Sequence, residues 1–254
     1  MLDRLEKIIE IRQKLENGAP SIGSWMQIPD SSIAEIIGNS GYDWVAIDME
    51  RGAIDNHQLP DLFRALELGN TLPIVRISEG SPENCKHALD AGAGGIIIPM
   101  IESAEQLIKI RNASYWPPAG SRGVGFSRGN LFGERFDAYS SEAQKPILVA
   151  MIEHVKAIDN LQDILRVDGL DSIFIGPYDL SASMGITGQF ENSDFLDIIN
   201  KIKKMCNQEG VSCGIHIVDP NKNELFNKIA EGYQWIAYSI DSVFLRKSMA
   251  FPKN

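Results

Sequence analysis

Six charged residues stand where apolar runs end. "WVAIDMER" passes from Trp44 into Asp48, Glu50 and Arg51, "PIVRI" carries Arg76, "ILVAMIE" ends on Glu153, and "IFIGPYDLSASMG" places Asp179 three residues after Gly176. A guanidinium inside a strand-like run needs an anion to meet it. Carboxylates from several runs on one rim are too much unpaired negative charge for a dry pocket unless a cation compensates. With no cysteine among them and no clear histidine pair, the donors are hard oxygens, which select Mg2+ or Mn2+ over zinc. Glu153 and Asp179 are the expected ligand pair, with the remaining positions open to water and substrate oxygens. Asp179 alone could equally cap a helical turn. Glu153, at the end of a seven-residue run, is harder to explain that way.

The elements that must position these residues are short apolar runs: 21–25, 44–48, 73–77, 95–100, 147–153, 172–176, 211–217 and 234–239. They are β-branched and nearly continuous, as parallel strands covered on both faces should be. Helix patterns lie between them. "DSSIAEIIGNSG" opens on an Asp/Ser cap and closes on Gly41, and "SPENCKHALDAGAG" has Ser81 as cap and Pro82 in the first helical position. Eight such pairs in 254 residues predict one (β/α)8 barrel spanning 1–254, with its active site where strands end and βα loops begin. "MLDRLEKIIEIRQKLENG" reads as a charged amphipathic helix rather than a signal peptide. The one long irregular stretch, 115–146, is expected to be a functional or mobile loop.

Several functions are disfavoured. The net charge is −10 with no basic run, which argues against nucleic-acid binding. No apolar run approaches the ~20 residues of a membrane span. Cys85, Cys206 and Cys213 have no CxxC spacing, so neither a disulfide framework nor a zinc motif is expected, and the chain reads as cytoplasmic with reduced thiols. None of the 13 lysines occupies the C-terminal half of a strand run, which disfavours a Schiff-base mechanism. "GAGG" precedes a strand, so it is not a dinucleotide fingerprint.

From about Ser21 to Leu245 the sequence resembles the metal-dependent class II pyruvate aldolases of the HpcH/HpaI family. The resemblance rests on "GYDWVAIDME", "PIVRI", "ALDAGAGGIIIPMIESAEQ", "YWPPAGSRGVG", "MIEHVKAIDNLQDIL" and "IFIGPYDLSASMG". It implies a TIM barrel of the phosphoenolpyruvate/pyruvate type and a divalent metal (Mg2+ or Mn2+, with Co2+ a further candidate) on Glu153 and Asp179. Pyruvate or its enolate would chelate that metal. Arg76 would contact the oxoacid, Asp48 would lie beneath the site, and Gly176, Pro177 and Tyr178 would border the pyruvate carboxylate. The reaction implied is cleavage or formation of a 4-hydroxy-2-oxoacid from pyruvate and an aldehyde. The resemblance also implies a homotrimer or homohexamer, with "DSVFLRKSMAF" as a candidate for exchange between subunits.

One position departs from the pattern. The family's base histidine falls at Arg51, while its aspartate partner corresponds to Asp90. An arginine stays protonated and cannot serve as the base. Three outcomes follow. A metal-bound water could take the proton. Arg51 could bind an anionic group or pair with Asp90 while His154 or His216 supplies the base. The chain could instead catalyse a related reaction, such as oxaloacetate decarboxylation. Arg122 could reach the aldehyde side or merely brace its loop. An acyl-CoA lyase and a catalytically weakened oxoacid-binding homologue are the other readings; the acidic chain advertises no basic surface for the former.

Overall fold

In the computed structural model, which describes residues 2–249 and 251, eight parallel strands close into a barrel in chain order. They are β1 (Ser21–Met26), β2 (Trp44–Asp48), β3 (Leu72–Arg76) and β4 (Gly95–Ile98). The second half supplies β5 (Ile147–Ile152), β6 (Ser172–Ile175), β7 (Ser212–Ile217) and β8 (Trp235–Ile240). Each expected run is found within two residues of its strand. β4 is shortened most, by two residues, and Met100 takes a left-handed φ of 53° just after Pro99.

A strand in this setting has two buried faces with a period of two. Along β5, Ile147, Val149 and Met151 pack inside the barrel, while Leu148, Ala150 and Ile152 pack against the surrounding helices. The same phase sends Trp44 and Ala46 of β2 and Leu72 and Ile74 of β3 inward. Trp44 stacks on Trp235 with centroids 4.3 Å apart. Gly23 makes room for that pair, since a Cβ there would lie 2.1 Å from the Trp44 ring. Below them, the N-terminal helix Arg4–Glu16 closes the barrel with Ile8 and Ile11.

The 115–146 stretch is more ordered than expected. It contains a 3-10 turn at Arg128–Gly133 and a helix at Phe136–Ala143 whose Tyr139 packs edge-on against Trp116, 5.2 Å away. At the other end, the helix Asp241–Ser248 is tied to its own β1 end, where the Asp241 carboxylate accepts the Gln27 and Ile28 amides. Ala250, within the segment proposed for exchange, lies outside the described residues, as do residues 1 and 252–254.

Candidate active site

Continuing the inward phase by one step past the packed layers brings Asp48, Arg76, Glu153 and Gly176 to the same mouth of the barrel. The β2–β3 register pairs Asp48 directly with Arg76. Arg76 donates from Nε to Asp48 Oδ1 at 2.9 Å and from Nη2 to Asp48 Oδ2 at 2.7 Å, a bidentate pair buried above the Trp25 ring. Asp48 also accepts the Gln27 side-chain amide at 2.9 Å and the backbone amides of Glu50 and Arg51 at 3.1 Å. Burial works against the Asp48 carboxylate, but Arg76 and these donors outweigh it and hold its pKa below the ordinary range. Of the five guanidinium N–H groups, at least two on Arg76 remain for an anionic oxygen.

Glu153 is 3% exposed and sits just beyond β5. Its Oε2 accepts the Met100 amide at 3.0 Å, so the left-handed Met100 backbone aims a donor at a site carboxylate. Gly176 stands against its other oxygen, where an added Cβ would lie 2.5 Å from Oε1. Desolvation pushes the Glu153 carboxyl up to about 7, and the charges of Glu50 and Asp179 add to that push. Glu50 is raised too, by burial first, although Arg76 and Arg51 pull it the other way. Its Oε2 lies 2.9 Å from Arg76 Nη1 as a charge contact, yet this buried oxygen receives no hydrogen bond.

Asp179 stands in the first turn of the helix Pro177–Ser183, whose start at Gly176 has no side-chain cap. Its Oδ2 accepts Arg51 Nη2 at 3.0 Å. The mouth therefore carries four carboxylates, Asp48, Glu50, Glu153 and Asp179, against two guanidinium groups, Arg76 and Arg51. Two negative charges are left over, the Glu153 and Glu50 carboxyls are both pushed up, and one buried carboxylate oxygen is orphaned. Hard oxygen donors in this state suit a divalent cation. Among the described residues no three His, Cys, Asp or Glu side chains converge into a cage.

Within the chain Asp90 does not meet Arg51, and Arg122 takes the bracing one of its two expected roles. Asp90 ends the helix Pro82–Asp90, which runs down from the mouth, and it pairs at 3.1 Å with Arg122 instead of approaching Arg51. Arg122 is buried, bonded to Asp90 and the Tyr139 hydroxyl, with its guanidinium over Trp116. Both lie at the base of the barrel because a βα helix reverses the chain direction. Arg51 pairs with Asp179, not Asp90. The two histidines are also committed: His154 Nδ1 accepts the Lys156 amide at 3.2 Å as a helix cap. His216 Nε2 lies 3.1 Å from the Ser239 carbonyl, which makes Nε2 the protonated nitrogen. Burial pushes His216 down to about 4.

Gln27 and the Met100 amide were not read as site groups from the sequence. Gln27 follows Trp25 in inward phase, a signal that was available. A backbone donor leaves no signal in residue type. A cavity of about 600 Å3 lies elsewhere, between the N-terminal helix and residues 64–68 and 128–142.

A closed parallel barrel with its charged groups at the strand ends is the layout of an enzyme. The sequence model of the HpcH/HpaI aldolase/citrate lyase family matches residues 21–248, and the chain belongs to that family. It is 37% identical over 237 residues to a hydroxypyruvate/pyruvate aldolase of Roseobacter denitrificans, covering 92% of this chain and 91% of the relative. It is 34% identical over 241 residues to a 2-keto-3-deoxy-L-rhamnonate aldolase of Klebsiella pneumoniae, covering 94% and 89%. Aldolases are carbon–carbon lyases. A crystal structure of an HpcH/HpaI aldolase/citrate lyase family protein from Burkholderia cenocepacia superposes with a TM-score of 0.88 at 29% identity, covering 94% of this chain and 95% of that one.

Proposed function

We propose that the chain is a metal-dependent aldolase that cleaves or forms a 4-hydroxy-2-oxoacid from pyruvate and an aldehyde. The observation that carries this is the uncompensated carboxylate group at the mouth, with Glu153 raised to about 7 beside Arg76. Glu153 and Asp179 would hold Mg2+ or Mn2+, with Co2+ also suited to the oxygen donors. When bound, the ion supplies Lewis-acid stabilisation of the negative charge that develops on a 2-oxo oxygen. Arg76 adds a second positive charge, preorganised by Asp48 and Gln27 so that it does not reorganise as the charge forms. Met100 and Gly176 fix the Glu153 carboxylate from its two sides. At the start of the helix Pro177–Ser183, which has no side-chain cap, Pro177 carries no N–H and the Gly176 amide donates to the Ile152 carbonyl at 3.2 Å, so the Tyr178 and Asp179 amides would meet the oxoacid carboxylate.

Proton transfer at the 4-hydroxyl is the less equipped step. Arg51 cannot accept a proton, His154 Nδ1 is engaged by a backbone amide, and His216 is held neutral but weakly basic. That observation favours a second reading, oxaloacetate decarboxylation, which needs no hydroxyl proton removed. Pyruvate release from a panel of hydroxy-oxoacids, with Mg2+, Mn2+ or Co2+ added and then chelated, tests both. No pyruvate under any metal sinks the aldolase reading, and turnover of oxaloacetate alone replaces it with the decarboxylase.

The three cysteines are buried and free, which fits a cytoplasmic enzyme. No helix among the described residues is long and apolar enough to cross a membrane. Met249 and Phe251 are exposed beyond the last helix, and we assign this end to a homotrimer or homohexamer contact. A monomer by light scattering would remove that assignment.

A further inference from the structure

The two arginines at the mouth are held in opposite ways. Arg76 is buried and spends three of its nitrogens on Asp48 and Glu50. Arg51 is 57% exposed and makes one hydrogen bond, from Nη2 to Asp179 at 3.0 Å, with Glu50 Oε1 at 4.0 Å. Its backbone is nevertheless fixed, since the Arg51 and Glu50 amides both donate to buried Asp48. The result is an anchored loop carrying a long cationic arm from the β2 side of the mouth to the β6 side, with four N–H donors unspent.

We propose that Arg51 recognises a carboxylate on the aldehyde half of the substrate, from a resting position on Asp179. This rests on the aldolase reading above and names the substrate class it would take. The charges support it. A divalent ion would neutralise the two surplus negative charges at the mouth, and a 2-oxoacid then adds one more. A second anionic group on the incoming aldehyde would be repelled unless a cation with free donors met it on the solvent side. Arg51 has the reach, the exposure and the planar fork that binds carboxylates bidentately. The same geometry makes Arg51 a competitor of the ion, because both draw on Asp179.

The test has a binding arm and a kinetic arm, using the wild type, Arg51→Gln and Arg51→Lys. Titration with Mn2+ alone, read by electron paramagnetic resonance, is expected to give several-fold tighter binding in Arg51→Gln than in the wild type. Arg51→Lys, which keeps the charge, is expected to stay near the wild type. In condensation with pyruvate, glyoxylate is expected to exceed the neutral glycolaldehyde at least tenfold in kcat/KM for the wild type. That ratio should collapse in Arg51→Gln, mainly through the aldehyde KM, and be partly kept in Arg51→Lys. An equal ratio in wild type and Arg51→Gln, or Mn2+ binding that is no tighter without the guanidinium, overturns the proposal. Exchange of the pyruvate methyl protons with deuterated solvent separates the two levels. Metal-dependent exchange without acid preference defeats only the role of Arg51, whereas no exchange and no condensation defeats the aldolase reading and this inference with it.

Discussion

Arginine–carboxylate clusters occur at both ends of the barrel, and they are built on different balances. At the base, Arg4 pairs with Glu142 at 2.7 Å and Glu67 at 3.3 Å, while Arg128 pairs with Glu67 at 2.9 Å. Two cations meet two anions, and the neighbouring Asp90–Arg122 pair is likewise matched one to one. At the mouth, four carboxylates face two arginines. The buried, balanced cluster satisfies its charges internally and holds the N-terminal helix and the 128–142 segment against the barrel. The unbalanced cluster retains an electrostatic deficit that something from solution must fill. Composition alone does not separate the two; the count of partners does.

The largest way to break this comparison is at Glu153. Glu153→Gln is expected to lower metal-dependent pyruvate release by about a thousandfold or more, while the fold survives, since the residue is not part of an ion pair. An unchanged rate would remove Glu153 as a ligand. At the opposite end, Glu67→Gln leaves Arg128 buried without its partner and should cost about 3–5 kcal/mol in urea unfolding. Loss of activity per folded molecule in that variant would contradict a purely structural role for the base.

A pH series sharpens the contrast between mouth and base through His216. Its folded-state pKa of about 4 lies below the ordinary 6.5, so the unfolded chain binds more protons between these values. Its contribution is present above pH 6.5 and is lost as pH falls toward 4, amounting to about 3 kcal/mol. Thermal denaturation across that window should show a shallower slope in His216→Asn. The smallest effect expected is that of Gly176→Ala. The new Cβ, 2.5 Å from Glu153 Oε1, would displace the carboxylate and weaken Mn2+ binding by about tenfold, measured by titration.

Much of this site could be seen in one dimension because strand ends are local features. An apolar run meeting a charged residue marks both the end of a strand and a residue at the barrel mouth, which is how Asp48, Glu153 and Arg76 stood out. Which of them point inward was not legible there, because both faces of each strand are apolar and only the packing separates them. Within one chain, the separation of Asp90 from Arg51 has a physical cause, and Arg122 takes the bracing alternative. The helix after β3 carries its chain back along the full depth of the barrel, so Asp90, fourteen residues after Arg76, lands at the other end.

By itself, the sequence determined the barrel and the chemical character of the mouth, because those follow from the alternation of short apolar runs with helix patterns and from residue type; with both strand faces apolar, the inward phase of each strand came from the packing. Only the tertiary structure decided the partners: Asp48 with Arg76, Arg51 with Asp179, the Met100 amide with Glu153, and Arg122 with Asp90. Charges pair according to distance across neighbouring and opposite staves, and that distance exists only once the register has closed the sheet.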